Sequence, residues 1–266
     1  MTTVALLGGG KMGSALLVGL IGAGWAPADC AVAEIDSDRR AELAAEHPGV
    51  RVTESAAEAV VSADVVVVAV KPAAVAATLA AAADAIGPDA VVCSIAAGVR
   101  IAGIEAVVPG RPVVRAMPNT PAVVGYGASA IAGGTHAGPA HLDLAERVLG
   151  AVGTVVRVDE PMLDAVTGLS GSGPAYVFLL AEALIDGGER CGLPPTVVRD
   201  LVVQTVLGAA TLLARDPAGP AALRAAVTSP GGTTEAAVAE LRARGVPEAF
   251  AAAVEVATRR SRELGA

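Results

Sequence analysis

The apolar positions of this chain follow two rhythms, and the change falls near residue 160. Before it, apolar runs at 3–7 and 30–35 predict short strands, and continuous β-branched runs at 65–70 and 91–95 predict strands buried on both faces, as parallel strands covered by helices are. The Ala-rich stretch 73–86 predicts a helix between two of them, and TVVRVDE at 154–160 a last strand. Beyond it the alternation stops. Helical stretches at roughly 161–188, 195–214, 220–227, 233–244 and 247–264 follow, separated by Gly and Pro. The expectation is an α/β fold, with a Rossmann-type doubly wound sheet over 1–160 followed by an all-α domain over 161–266.

The first run leads directly into GGGKMG and then into the helical SALLVGLIGAG. Gly8, Gly10 and Gly13 fill the G-x-G-x-x-G positions, with Lys11 and Met12 between them. That order of strand, glycine turn and helix suits a dinucleotide pyrophosphate. The first glycine makes the tight turn, the second admits the phosphates, and the third lets helix close on strand. The second strand ends in Glu34 and Asp36, at the spacing expected for a ribose contact, while Ser37, Arg39 and Arg40 just beyond suit the 2′-phosphate of NADP. Both cofactors stay open on these residues, as NADPH with NADH possible. Ligands bind beyond the carboxyl ends of such strands, which places Ala69, Lys71 and Pro72 beside the cofactor. Lys11 and Lys71 are the chain's two lysines against seventeen arginines, and both fall at strand-end turns. In VVRAMPNT, Pro118 and Pro121 bracket Asn119 and Thr120, a polar pair suited to line the nicotinamide end of the cleft.

Composition narrows the picture further. A formal net charge of −8 offers no basic stripe, and five aromatic residues offer few stacking platforms, so nucleic-acid binding is not expected. The apolar region around residue 70 is interrupted by Lys71, Pro72 and Asp84 before a membrane span accumulates, and no signal peptide is read at the start. The expectation is a cytoplasmic protein without membrane association. Cys30, Cys93 and Cys191 read as reduced thiols, and the three histidines lack ligand spacing, so no metal site is expected.

In the second half, SGSG at 170–173 should break a helix, Pro174 should kink or restart it, and the next dozen residues are nearly all apolar. A helix apolar on most sides in so small a domain calls for a second chain to bury it, so an obligate homodimer is expected there. Glu182, Asp186 and Glu189 read as a solvated or inter-helix polar face rather than an acid/base pair. VTSPGGTT at 227–234 places Thr228, Ser229, Thr233 and Thr234 around Gly231 and Gly232 ahead of a helix. Such an octet is either an ordinary N-cap by Ser229 or Thr233, or a small-anion cradle of converging N–H groups and hydroxyls. In an acidic, lysine-free domain, dipoles and hydroxyls are the means available to hold a carboxylate, which favours the cradle.

The Rossmann start, AVKP at 69–72, RAMPNTP at 115–121, LSGSGPAY at 169–176, GLP at 192–194, QTVLGAA at 204–210 and TSPGGTT at 228–234 occur in one order. Together they resemble pyrroline-5-carboxylate reductase, the last enzyme of proline biosynthesis, over essentially the whole chain. The resemblance implies that Gly8, Gly10, Met12 and Gly13 form the pyrophosphate turn, and that Ala69, Lys71, Pro72, Asn119 and Thr120 line the cofactor cleft. It implies that Ser229, Gly231, Gly232 and Thr233 hold the substrate carboxylate and that Thr234 hydrogen-bonds the ring nitrogen. The catalytic candidates are Thr234, Ser229 and Lys71. It also implies a decamer, a pentamer of dimers with intertwined helical domains, and added strands in the sheet. Two rivals carry over: a β-hydroxyacid dehydrogenase, which needs a second-domain lysine that 161–266 does not contain, and a nucleotide-sensing protein without turnover.

Overall fold

The computed structural model describes residues 2–265. The apolar runs form the strands expected of them, and each residue of β1 (Val4–Leu7), β2 (Cys30–Ala33), β4 (Val65–Val68) and β5 (Val91–Ser94) is buried. The remaining strands are β3 (Arg51–Thr53), β6 (Val113–Met117), β7 (Gly127–Gly133) and β8 (Gly153–Arg157). They make one sheet in the order β3-β2-β1-β4-β5-β6-β7-β8. Every neighbouring pair is parallel except β6 with β7, so the doubly wound sheet carries one reversal. The order reverses between β1 and β4, which are paired as Val4↔Val65 through Leu7↔Val68.

Helices cover both faces. α1 (Lys11–Gly22), α2 (Ser37–Glu46), α3 (Ala56–Val60), α4 (Val75–Ala82), α5 (Ile101–Glu105), α6 (Pro139–Gly150) and α7 (Leu163–Val166) alternate with or follow the strands. Alternate residues of each strand point to opposite faces. Val4 and Leu6 therefore meet Leu16, Leu17 and Leu20 of α1 together with Leu149 of α6. Ala5 and Leu7 fall in the other core, with Val60 of α3, Leu79 of α4, Ile104 of α5 and Leu163 of α7.

The chain then becomes helical: α8 (Gly173–Arg190), α9 (Pro195–Arg215), α10 (Gly219–Ala226), α11 (Thr233–Ala243) and α12 (Val246–Leu264). Contacts separate two units. One runs through Ser172 and takes back the chain from Glu255, and the other is Gly173–Val254. In the first unit, the end of α12 is anchored by Ser261, whose hydroxyl donates to the buried Asp164 Oδ1 at 2.7 Å. The SGSG segment behaves as its residues dictate. A π-helical turn occupies Thr167–Gly171, and α8 starts afresh at Gly173 with Pro174 in its first turn, where the missing N–H costs nothing.

Three elements differ from the sequence expectation. β7 reads GASAIAG, too small in its side chains to register as a strand, and close pairing to both neighbours makes it one. β3 is only three residues long, and α6 is not among the predicted helices. The runs at 30–35 and 65–70 end as strands two residues early, at Ala33 and Val68, although the N–H groups of Glu34 and Ala69 still donate to Thr53 and Leu7.

Two helical runs, Glu160–Arg190 and Pro195–Arg215, are long and apolar enough by composition to cross a membrane, a property that apolar helices of proteins outside membranes share. Among the described residues of Gly173–Val254, only Val198 and Val202 are buried in the single chain.

Candidate active site

β1, β2 and β4 end side by side in the first unit, where the strand order reverses, and the glycine turn lies across them. Gly8 takes φ +109°, and a Cβ placed there would stand 2.8 Å from the Ala69 carbonyl oxygen. A Cβ on Gly13 would stand 2.0 Å from the Gly8 carbonyl oxygen, so a glycine is required for α1 to close on the turn. A Cβ on Gly10 would meet nothing within 4 Å. The middle glycine thus borders open space, as close approach by a ligand requires. Gly10 also caps α1 with no side-chain hydrogen bond, leaving the N–H groups of the first turn and the positive end of a 12-residue helix directed outward. This is a phosphate-binding geometry. Lys11 is exposed at its first position, and Met12 is half-buried against the core.

The rim beyond β2 is built from side chain to backbone bonds. Glu34 Oε2 accepts the Gly9 N–H at 2.9 Å and Oε1 the Asp36 N–H at 3.0 Å. Asp36 Oδ1 in turn accepts the Arg39 N–H at 2.9 Å and caps α2. Arg39 Nε donates to the Gly9 carbonyl at 3.1 Å and its Nη2 to Ser14 Oγ at 2.7 Å, while Arg40 Nη1 donates to the carbonyls of Glu34 and Ile35. Ser37 is exposed at the first position of α2.

Ala69 continues from β4, its N–H donating to the Leu7 carbonyl at 2.8 Å. Lys71 follows, exposed and with its ammonium group in no hydrogen bond or ion pair among the described residues, and Pro72 opens a one-turn 3₁₀ helix. Asn119 is buried with its amide spent on bracing: Nδ2 donates to the Ser170 carbonyl at 3.0 Å, and Oδ1 accepts the Ala128 N–H at 2.8 Å. Its side chain ties the MPNT loop to the π-helical turn and to β7. Thr120 next to it is exposed. The structure therefore brings Gly8, Gly13 and Ala69 into contact, leaves Gly10 facing open space, and sets Lys71 and Pro72 just beyond Ala69. Arg115, read only as part of the RAMPNTP motif, is a buried cation of β6 held by Glu160 Oε1 at 3.1 Å.

The octet at 227–234 lies wholly in the second unit. Gly232 caps α11, and no side chain makes a cap hydrogen bond there, so the N-cap by Ser229 or Thr233 does not form. Gly231 takes φ +70°, and Gly232 has Ser229 Oγ where a Cβ would stand, at 2.5 Å. The Thr228 hydroxyl donates to the Arg224 carbonyl at 2.6 Å, and the Gly231 N–H donates to Glu235 Oε2 at 2.7 Å. The hydroxyls of Ser229, Thr233 and Thr234 have no hydrogen-bond partner among the described residues. An internal carboxylate already sits on one of the loop's N–H groups. Burial pushes the Cys30 thiol up to about 11, aided by Asp29, and the Cys93 thiol up to about 12, which favours the protonated thiol at both. No group of three or more potential metal ligands exists among the described residues.

A glycine turn of this geometry, at the switch point of a 3-2-1-4-5-6 sheet, defines a dinucleotide-binding protein of the Rossmann class. Comparison with known proteins agrees and goes further. Residues 3–98 match the family model described as NADP oxidoreductase, coenzyme F420-dependent, and residues 160–264 match that for pyrroline-5-carboxylate reductase dimerisation. The chain is 46% identical to the pyrroline-5-carboxylate reductase of Mycobacterium tuberculosis, with 99% of this chain and 97% of that one covered. A solved pyrroline-5-carboxylate reductase from Coxiella burnetii superposes with a TM-score of 0.95 at 36% identity, covering 100% and 99% of the two chains. That of Plasmodium falciparum, with NADP bound, gives 0.86 at 26%, covering 100% and 98%. The chain belongs to the pyrroline-5-carboxylate reductase family.

Proposed function

We propose that this protein reduces Δ1-pyrroline-5-carboxylate to L-proline, with NADPH or NADH as hydride donor. When bound, the dinucleotide supplies hydride from C4 of its nicotinamide to the C=N carbon of the ring. The observation that carries the reading is the uncapped start of α1 behind an open Gly10, together with the family of the whole chain. Gly8, Gly10, Lys11, Met12 and Gly13 hold the pyrophosphate, Glu34 and Ser37 lie at the adenosine ribose, and Ala69, Lys71, Pro72, Asn119 and Thr120 line the cleft.

In the second unit, Ser229, Gly231, Gly232 and Thr233 hold the substrate carboxylate through N–H groups and hydroxyls, and Thr234 hydrogen-bonds the ring nitrogen. A protonated cyclic iminium accepts hydride readily, so orientation rather than a strong general acid is what the site must provide. The free hydroxyls of Ser229, Thr233 and Thr234 and the absence of lysine from 161–266 suit that division of labour. Residues 161–266 serve as the dimerisation and substrate domain, 1–160 as the dinucleotide domain. Homodimers form through the helices and assemble into decamers, and the three free cysteines fit a cytoplasmic setting.

The test is oxidation of NADPH or NADH followed by absorbance. Turnover is expected only when pyrroline-5-carboxylate is added, and no rate above background with either donor would refute the reading.

A further inference from the structure

We propose that the rim beyond β2 selects NADH over NADPH, with Glu34 as the selecting residue. The proposal rests on the reading of the first unit as a dinucleotide site, and concerns what this chain has built where the 2′ position of the adenosine ribose falls, at the end of β2.

Glu34 is fixed there. Its two carboxylate oxygens each accept one backbone N–H, from Gly9 and Asp36, which fixes the group beside the glycine turn. A carboxylate has about four acceptor positions, so roughly two remain beyond the two bonds it makes. A ribose hydroxyl can donate to them. A 2′-phosphate, carrying close to two negative charges and strong acceptor oxygens, cannot, and would stand against a like charge that two backbone bonds keep from moving aside.

The cations nearby do not offset this. Arg39 spends Nε on the Gly9 carbonyl and Nη2 on Ser14, and its charge pairs with Glu42 at 2.8 Å. Arg40 spends Nη1 on the carbonyls of Glu34 and Ile35 and pairs with Glu54 at 3.0 Å. Both arginines hold the rim together and neither presents an uncommitted fork to a phosphate. Asp36 is committed to capping α2, and Ile35, 84% exposed, has no side-chain donor to offer. Residues 34–54 carry six carboxylates against three arginines. Lys11 stands at the first turn of α1, which faces the pyrophosphate, a group common to both cofactors. A relative of the same fold holds NADP, so the selection belongs to this rim and not to the fold.

The experiment titrates the full-length protein with NADH and with NADPH by calorimetry, and measures kcat/KM for each with pyrroline-5-carboxylate. NADH is expected to bind at least about tenfold more tightly, about 1.4 kcal/mol, with kcat/KM favouring it in the same direction. Glu34→Gln keeps the side chain's shape and an acceptor while removing the charge, and is expected to bring the two affinities within about threefold of each other, mainly by tightening NADPH. Equal or tighter binding of NADPH by the unaltered protein would overturn the proposal, as would an unchanged ratio in Glu34→Gln. Turnover with neither donor, alongside measurable binding, would instead strike the assignment of the reaction, and leaves the affinity ratio to decide the selection.

Discussion

The two units of this protein handle apolar side chains in opposite ways. In the first, Leu6, Leu17, Leu20, Leu79 and Ile131 are fully buried, and both faces of the sheet are closed by the chain's own helices. In the second, Phe178, Leu179, Leu201, Leu207 and Leu212 each leave more than half of their surface exposed in the single chain. Hydrophobic burial stabilises by about 25 cal/mol per Å², so a unit that leaves such side chains open forgoes most of the stabilisation its composition offers. The dinucleotide unit is complete in one chain. The helical unit leaves apolar side chains uncovered in one chain, and the proposed dimer would cover them.

The sharpest attack on the self-sufficiency of the first unit is Gly13→Ala. With its Cβ 2.0 Å from a backbone oxygen, α1 must move off the turn, at a cost of about 3 kcal/mol or more and a loss of dinucleotide affinity beyond a hundredfold. Gly10→Ala is the control: it should melt close to the unaltered protein yet weaken the dinucleotide about tenfold, since it fills ligand space only. Thermal unfolding and cofactor titration separate the two.

Leu207→Asp attacks the second unit. On the dimer reading it should raise the subunit dissociation constant at least about a hundredfold by placing a charge in an apolar contact, seen by sedimentation as monomer. Leu20→Ala in the first unit should instead cost about 2 to 5 kcal/mol without altering assembly. An unchanged oligomer in Leu207→Asp would end the contrast between the units.

Within the helical unit, Thr234→Ala should lower kcat/KM about ten- to a hundredfold, the worth of one hydrogen bond to a charged ring nitrogen, with little change in melting or dinucleotide affinity. Unaltered turnover would remove Thr234 from the reaction.

The smallest effect is a pH dependence confined to the first unit. Cys93 is raised to about 12 when folded, against an ordinary thiol value of about 8.5, so the unfolded chain loses its proton first. Stability should therefore fall as pH rises above the ordinary value, by about 1.4 kcal/mol per unit from this thiol, and the fall should continue toward the folded value. Denaturant unfolding between pH 8 and 10 should show a shallower decline in Cys93→Ala.

Much of this was legible in the order of residues, and the parts that were not share a cause. Runs such as VVVV at 65–68 admit few fates other than a doubly covered strand, and Gly8, Gly10 and Gly13 mark the turn by spacing alone. Those features are local, since steric and hydrophobic demands act between near neighbours in the chain. GASAIAG at 127–133 has no such local demand and becomes a strand only because β6 and β8 lie beside it. Asn119 reads from its spacing as a loop residue, and only the fold shows its amide bonded to the Ser170 carbonyl, fifty-one residues on. Glu34, Arg39 and Arg40 look in sequence like rival ribose and phosphate ligands, and folding turns the arginines inward onto backbone carbonyls while leaving the carboxylate with open acceptors. The sequence by itself determined the class of fold, the glycine turn and the helical second half. Tertiary structure decided which polar side chains are already spent, because a hydrogen bond between distant residues is a matter of three-dimensional distance that no spacing along the chain encodes.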